Sequence, residues 1–427
     1  MLDPNPKMNQ LMQTIPLAIP IDGYGKIAIT TALLTLYAML VRYYRYQRCT
    51  AIQSRFQTPK RPLSSMTVKE AHQVVRELRE LEFPYSLHNA MKISLLKTGS
   101  IPTMTKLFTA TGQLNERNAP KRAADTEVLL TEVHDRHPGS NEHLLAISRM
   151  NYLHSRYRKA GKILDEDMLH TLGSAVVDIF RSVDENEWRV LSATEKCAIG
   201  VFHKALGDAM EIDFRFLESC GTGWRDGAHF ARELCEWTVE YEKSVAKPTE
   251  STRKIGRRLM ELAQWNLPGV LRPVVERVIA TKVDEHVRVS MDFADPGILI
   301  TAMMKTLITT RKFLLRYFAL PRPESKAVRT LNGSPDPTTG LYTTNLWIAQ
   351  PWYIEPSFKN RWGLKAMFAR LFGDGAVPTR DGPYKEAGYD LRTIGPAAQE
   401  KRGHEEMEVI FEGLRGMNFA GGCPFHA

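Results

Sequence analysis

Apolar residues recur at intervals of three and four positions over most of this chain, a pattern typical of helices that pack through one face. Thr67 and Ser192 are each followed three residues later by a glutamate, which is the capping-box signature of a helix N-terminus. Strand signals are few before residue 320, so the pattern predicts an all-α fold. The predicted helices run from Thr67 to Pro84 and over His88–Lys97, Lys121–His134, Asn141–Lys159, Asp165–Phe180, Ser192–Met210, Gly227–Ser244, Ser251–Gln264 and Pro296–Phe318.

An uncharged apolar run near the N-terminus predicts a single membrane-anchoring helix. Ile27–Val41 contains no charge but is shorter than the roughly 20 residues that cross a bilayer. Tyrosines at both ends extend the predicted span to residues 24–43, because tyrosine favours the headgroup level. Basic residues follow the run from Arg42 onward, which argues against a cleaved signal peptide and, less directly, against a buried core helix. The positive-inside rule then places residues 1–23 in the lumen and the rest in the cytosol.

The remaining chain divides by composition into three segments. Residues 44–66 are polar and basic and predict a juxtamembrane linker, and residues 67–320 form the helical domain. After Pro321, prolines and glycines interrupt every apolar pattern. Residues 321–427 therefore predict an irregular C-terminal extension that packs on the helical domain, with one or two short helices such as Gly363–Phe372.

The apolar run Ile298–Phe318 has two interpretations. It could line an access route to a site or lie in a membrane interface. The slightly favoured interpretation is a core helix in which Met303 and Met304 fill space.

Composition and charge narrow the class of protein. Of the 427 residues, 43% are hydrophobic and 25% are charged, which is normal for a chain that buries a core. The net charge of +9 fits anionic lipid or a basic surface, and nucleic acid is the weakest interpretation because no zinc-finger or RNA-binding motif is present. Five scattered cysteines without a CxxC pair argue against disulfides and zinc, and suit a reducing compartment.

One histidine lies where it could hold a haem iron. His154 shares a helix face with Ile147, Met150 and Tyr157, at spacings of three and four. A histidine on such an apolar stripe is more often a hydrogen-bonded core residue, but a neutral imidazole on a rigid helix also suits an axial iron ligand. Other histidines, His170 and His203, lie on the next two helices, and no HExxH motif indicates a non-haem metal.

Arg122 and Thr126 are four residues apart and therefore share a helix face. In one interpretation they are a solvated arginine and an ordinary helical threonine. In the other, the guanidinium pairs with a haem propionate or a polar group of the substrate, and the threonine hydroxyl donates a hydrogen bond to an oxygen species.

A cysteine-ligated haem monooxygenase is disfavoured. Such an enzyme has a long helix after its ligand, whereas Cys423 is followed by four residues.

The chain resembles a known family in several passages. They are LEFPYSLHNA (81–90), GSIPTMTKLFTATGQL (99–114), KRAADT (121–126), RMNYLHSRYRKAGKILDEDMLHTL (149–172) and the terminal CPF. These resemble the fungal membrane-bound oxygenases of mycophenolic acid biosynthesis, in a family that also includes the bacterial latex-clearing rubber oxygenase. The resemblance implies a globin-like, rubber-oxygenase-like helical domain that binds haem b.

The resemblance also implies roles for particular residues. His154 matches the axial haem ligand, with His170 as a weaker alternative, and Arg122 and Thr126 match the distal arginine and threonine. Asp125 stands where the bacterial enzyme has a lysine, which removes a sixth iron ligand.

The function implied is a haem-dependent oxygenase of the endoplasmic reticulum membrane. With dioxygen it would cleave a C=C bond in a hydrophobic prenylated or polyketide-derived metabolite, as in meroterpenoid tailoring. The alternatives are hydroxylation or dehydrogenation on the same fold, and a non-catalytic helical adaptor at the membrane.

Overall fold

The computed structural model describes residues 23–56, 61–417 and 422–425. Within these ranges the backbone forms α-helices, short 3-10 turns and a π-helical turn at Leu78–Glu82 but no β-strand, which confirms the all-α prediction. The α-helices are α1 Gly23–Ser54, α2 Val68–Glu77, α3 Pro84–Lys97, α4 Pro102–Thr111, α5 Ala119–Asp135, α6 Asn141–Lys159, α7 Asp165–Asn186, α8 Ala193–Ala209, α9 Gly227–Val245, α10 Glu250–Ala263, α11 Arg272–Ala280, α12 Glu285–Ser290, α13 Gly297–Tyr317, α14 Phe358–Trp362, α15 Leu364–Phe372 and α16 His404–Gly416.

Helix α1 serves both as the membrane anchor and as part of the helical body. Among the described residues it alone is long and apolar enough to cross a membrane, and almost none of its apolar stretch is buried. Its C-terminal part packs on the body through Val41, Arg45, Cys49 and Ile52, which share one face. Residues 44–54 of the predicted linker are therefore helical, and the predicted lumenal segment lies, except for Gly23, outside the described residues.

The core of the body is built around α8, which packs between α2 and α9, while α7 packs on α3 and α9. The closest approach of α8 and α9 occurs at two glycines. A Cβ atom on Gly200 would lie 1.8 Å from the carbonyl oxygen of Gly227, so no side chain fits there. The small residues let the two helices meet at their backbones, which brings the neighbouring side chains into a continuous apolar core.

Local sequence rules account for most helix ends. Both predicted capping boxes form, with the side chains of Thr67 and Ser192 accepting bonds from the backbone of the third residue of α2 and α8. Pro84 begins α3 rather than merely ending the preceding run, because a proline is well tolerated in the first turn of a helix. The pattern did not predict α4, α11, α12 or α16 as helices.

Helix α13 contradicts the favoured interpretation of the run Ile298–Phe318. None of its residues is buried, and Met303 is 46% exposed. The prediction of a core helix is therefore wrong. Apolar composition indicates that a segment avoids water, but it does not specify whether protein or lipid covers it.

The C-terminal region packs on the helical domain both through apolar residues that join the main core, among them Ile394 and Phe411, and through backbone carbonyls. Arg149 of α6 is fully buried and donates to the carbonyl oxygens of Ile394, Thr393 and Gln399, at 2.7, 3.0 and 3.0 Å. The region is mostly irregular, but it also contains α14, α15 and α16, of which α16 packs against α6.

Two core histidines make the stability of the fold depend on pH. Burial lowers the pKa of His72 to about 4 and that of His143 to about 3, and both rings are buried. Because these folded-state pKa values lie below the ordinary 6.5, the unfolded chain binds more protons below pH 6.5, and stability is lost as the pH falls towards 4. Each histidine then lowers the free energy of unfolding by up to about 1.4 kcal/mol for each unit by which the pH falls.

We therefore expect His72 and His143 to lower the free energy of unfolding by about 2 kcal/mol between pH 6.5 and 5.5. Burial also lowers the pKa values of His88, His154 and His203 to about 4, so these residues should add to that loss. Urea titrations of the detergent-solubilised protein, followed by circular dichroism, measure this. His143→Leu should make the decrease smaller by about 1 kcal/mol. A free energy of unfolding that stays constant over this interval would contradict the prediction.

Candidate functional site

A cavity of about 770 Å³ lies inside the bundle, between α3, α5, α6, α7, α8, α10 and α11. This volume lies within the range of about 300–1,000 Å³ that is usual for ligand sites. More than half of the lining residues are apolar, chiefly leucine, methionine and isoleucine, so the cavity suits an apolar molecule. The polar groups in its wall that could carry chemistry include Arg122, Thr126, His134, His154 and His203.

Arg122 and Thr126 face this cavity from the first two turns of α5. The Nη1 group of Arg122 donates to the Thr126 hydroxyl at 2.6 Å, and that hydroxyl donates to the Arg122 carbonyl oxygen at 2.7 Å. Burial lowers the pKa of Arg122, but a guanidinium remains charged at neutral pH. Arg122 forms no ion pair within the described chain, so its charge is available to an anionic group in the cavity.

Asp125, the residue before Thr126, does not face the cavity. Its carboxylate accepts from Lys121 Nζ at 2.9 Å and from the Tyr353 hydroxyl at 2.6 Å. Burial raises the pKa of Asp125, while these two partners oppose that shift. The residue therefore ties α5 to the C-terminal region.

His154 lies in the cavity wall on α6, and neither of its ring nitrogens is hydrogen-bonded within the described chain. Its Nδ1 atom is also fully buried. Burial, together with the charges of Arg122 and Arg158, lowers the pKa of His154 to about 4. The imidazole is therefore neutral at physiological pH and keeps a free lone pair.

Two further histidines line the cavity, and His134 among them was missed by the sequence analysis. In both His134 and His203 the Nδ1 group bonds a backbone carbonyl oxygen of its own helix, at 2.7 and 2.8 Å, and Nε2 is buried without a partner. The imidazole centroids are 5.8 Å apart. A signal for His134 existed, since it lies eight residues after Thr126, on the same face of α5.

His170 lies outside this cavity, in a buried polar cluster. Its Nε2 atom is 3.2 Å from Glu242, whose other carboxylate oxygen is 3.0 Å from His286. Lys97 is 3.1 Å from Asp178 and 3.7 Å from Glu242. These contacts join α3, α7, α9 and α12, so the structure does not bring His170 together with His154, Arg122 and Thr126.

The cavity thus presents neutral imidazoles and an unpaired guanidinium inside an apolar wall. Imidazoles of this kind can coordinate a metal ion, and a guanidinium matches the geometry of a carboxylate. An apolar wall excludes water and strengthens both interactions.

Three curated fungal proteins are similar to this chain. ER-bound oxygenase mpaB' of Penicillium brevicompactum is 34% identical over 411 residues, which cover 96% of this chain and 97% of the relative. ER-bound oxygenase mpaB of the same organism is 32% identical and covers 87% of this chain and 90% of the relative. ER-bound oxygenase mpaB of Penicillium roqueforti is 36% identical, over 63% of this chain and 91% of the relative. No protein-family model matches the chain.

Proposed function

The chain belongs to the family of ER-bound mpaB oxygenases, and from this premise we propose that it is a haem-dependent oxygenase that cleaves a C=C bond. An oxygenase takes dioxygen and a small-molecule substrate. The proposed substrate is a hydrophobic prenylated or polyketide-derived metabolite, and the proposed location is the endoplasmic reticulum membrane with the helical body in the cytosol. The observation that carries the proposal is the presence of His154, Arg122 and Thr126 in the wall of one apolar cavity.

The residues of the cavity fit haem b. A histidine that ligates haem iron must be neutral and held on a rigid element, and His154 on α6 has both properties. The two haem propionates need cationic partners, and Arg122 carries a charge that no carboxylate of the described chain neutralises by an ion pair. Haem held in this way would supply the activation of dioxygen.

The chain's own residues would bind and orient the substrate. The apolar side chains of the cavity exclude water and hold an isoprenoid chain, as in other largely apolar ligand sites. The Thr126 hydroxyl accepts a hydrogen bond from the Arg122 guanidinium and donates one to the Arg122 carbonyl oxygen. It therefore acts as a positioning residue that fixes the guanidinium, and it could donate to an oxygen species only by giving up that carbonyl bond.

The visible spectrum and the product mass of the full-length protein test the proposal. We expect a Soret band after expression with ample iron and haem precursor, and two carbonyl fragments from a prenylated substrate. A product that keeps its carbon chain and gains one oxygen would replace cleavage with hydroxylation, and one that loses two hydrogens would indicate dehydrogenation. A colourless, inactive protein would overturn the proposal in favour of a non-catalytic membrane adaptor.

Arg122→Ala should retain haem but lose turnover by about 100-fold, because removing one preorganised charged donor usually costs a few kcal/mol of transition-state stabilisation. The measurement is the Soret absorbance per protein together with kcat. Arg117→Ala is the matched control, since Arg117 is an exposed arginine just before α5 and should leave both unchanged. Unchanged turnover in Arg122→Ala would mean that Arg122 plays no part in the reaction.

A further inference from the structure

The outward face of α13 is an apolar helix surface that no described part of the chain covers. Ile298 is 91% exposed, Leu299 81% and Leu307 63%, and Phe313 and Leu314 are about half exposed. The helix contains four basic residues and no acidic one. A soluble protein rarely leaves an apolar surface of this kind in water, so a surface like this usually marks a binding site.

The inner face of the same helix adjoins the cavity. Met304 of α13 lines the cavity together with Val278 and Ile279 of α11, the helix packed against α13. Helix α13 therefore separates the cavity from the outside by a single helix thickness. A gap between α11 and α13 would connect the two.

The exposed apolar surface continues into the turn that precedes α11. Val270 is 84% exposed, and Leu271 and Val274 are also exposed. They lie at the start of α11, which packs against α13. The outward face of α13, together with Val270, Leu271 and Val274, forms the docking surface.

The membrane anchor and α13 meet at a defined level. The Tyr37 hydroxyl donates to the Phe318 carbonyl oxygen at 3.0 Å, and Arg45 donates to the Ala319 carbonyl oxygen at 2.6 Å. Tyr37 lies six residues inside the end of the predicted span at Tyr43, which corresponds to about 9 Å along a helix axis. Interfacial helices sink about 5–10 Å into the boundary between headgroups and acyl chains. The end of α13 therefore lies at the depth of that boundary.

We propose that the docking surface lies in the bilayer interface, as a second membrane contact beside α1, and opens the cavity to lipid between α11 and α13. The bilayer is favoured over a protein partner because the surface is continuous with the anchor through the Tyr37 and Arg45 contacts. The charge of α13 also complements anionic headgroups, since Lys305 is exposed and forms no ion pair within the described chain. The docking itself is independent of the proposed function, whereas the lateral access route rests on it.

Depth-dependent fluorescence quenching tests the docking. The full-length protein, with the accessible native cysteines Cys220, Cys235 and Cys423 replaced by serine, is reconstituted into vesicles of phosphatidylcholine and phosphatidylserine, with an environment-sensitive label at Leu307→Cys. Lipids that carry a nitroxide near the headgroup end of the acyl chain serve as quenchers. We expect strong quenching at Leu307. A label at Leu33→Cys, in α1, selects inserted protein, and a label at Val409→Cys is the matched control.

Val409 suits this purpose because it is an equally apolar helix residue, 75% exposed, on α16. Its label should remain unquenched. If Leu33 is quenched and Leu307 is not, the docking proposal is overturned, and cross-linking between Leu307→Cys copies would then assign the surface to a second copy of the chain. Equal quenching at Leu307 and Val409 would also overturn it.

The access route needs a readout of its own. Met304→Trp should raise the apparent KM for a membrane-dissolved substrate severalfold and leave the haem spectrum unchanged, because the larger side chain narrows the gap between α11 and α13. Met417→Trp, at an exposed methionine after α16, should change neither. If the wild type has haem and activity but Met304→Trp behaves like Met417→Trp, the access route fails while the proposed function stands.

Discussion

His154→Ala is expected to abolish haem binding and oxygenase activity together. The imidazole of His154 is proposed as the iron ligand, and no other histidine of α6 lies in the cavity wall. Loss of residues that merely support a metal ligand already costs about 10–100-fold in affinity or activity, so loss of the ligand itself should cost at least about 100-fold. The ratio of Soret to protein absorbance and the product yield measure the two effects.

His143→Ala is the matched control for this variant. His143 lies on the same helix, α6, and is buried outside the cavity. Its substitution should lower stability but leave the haem content of the folded protein intact. In addition, His154→Gly should regain the Soret band when free imidazole is supplied, because the glycine leaves room for the ring.

Loss of the Soret band in His203→Ala but not in His154→Ala would move the ligand to α8. His203 is the natural second candidate, since its Nδ1 group is fixed by the Ile199 carbonyl and its Nε2 lone pair is free. A ligating histidine usually has its other ring nitrogen held in this way. Retention of full haem and activity in both variants would contradict the proposed site.

Lys97→Met is expected to destabilise the fold by about 3–5 kcal/mol, the usual cost of breaking a buried ion pair by removing one partner. Lys97 is 1% exposed and contacts Asp178 and Glu242, which are equally buried. Lys97 contacts the Oδ1 atom of Asp178, and the buried Oδ2 atom has no hydrogen-bond partner even with Lys97 present, so loss of the ammonium group leaves this carboxylate uncompensated in the protein interior. Urea denaturation at pH 7.5 measures the loss.

An exposed ion pair supplies the control for Lys97→Met. Arg232 and Glu236 form a pair at 2.9 Å on α9, with side chains 60% and 62% exposed. Arg232→Met should therefore change the free energy of unfolding by less than about 1 kcal/mol. If Lys97→Met costs no more than this control, the cluster of Lys97, Asp178 and Glu242 contributes little to the stability of the bundle.

The parts of the fold that follow local rules could be predicted from the sequence. The bounds predicted for α6, Asn141–Lys159, agree with the structure, and those of α8 and α9 agree within one residue. Capping boxes, helical spacing and the i, i+4 relation of Arg122 and Thr126 depend only on neighbours along the chain. Short helices such as α11 and α12 escaped prediction because nine or six residues carry too little of a periodic pattern to distinguish them from loops.

The assembly of the candidate site was only partly predictable. The sequence placed Arg122 and Thr126 on one face of α5 and His154 on an apolar stripe of α6, but only the family resemblance, and no local pattern, ranked His154 above His170. That distinction arises because α7 turns His170 towards Glu242 of α9 and away from the cavity. Likewise, nothing local indicated that Asp125 would bond Tyr353, which lies 228 residues further along the chain.

By itself the sequence determined that the chain is helical, that an apolar N-terminal helix anchors it, and which family it resembles. Spacing, caps and long matching passages are properties of neighbouring residues, and they need no knowledge of the fold. Only the tertiary structure decided which histidines share a cavity and that α13 faces outward. Burial is set by the helices that pack around a residue, and those contacts join residues far apart in the chain.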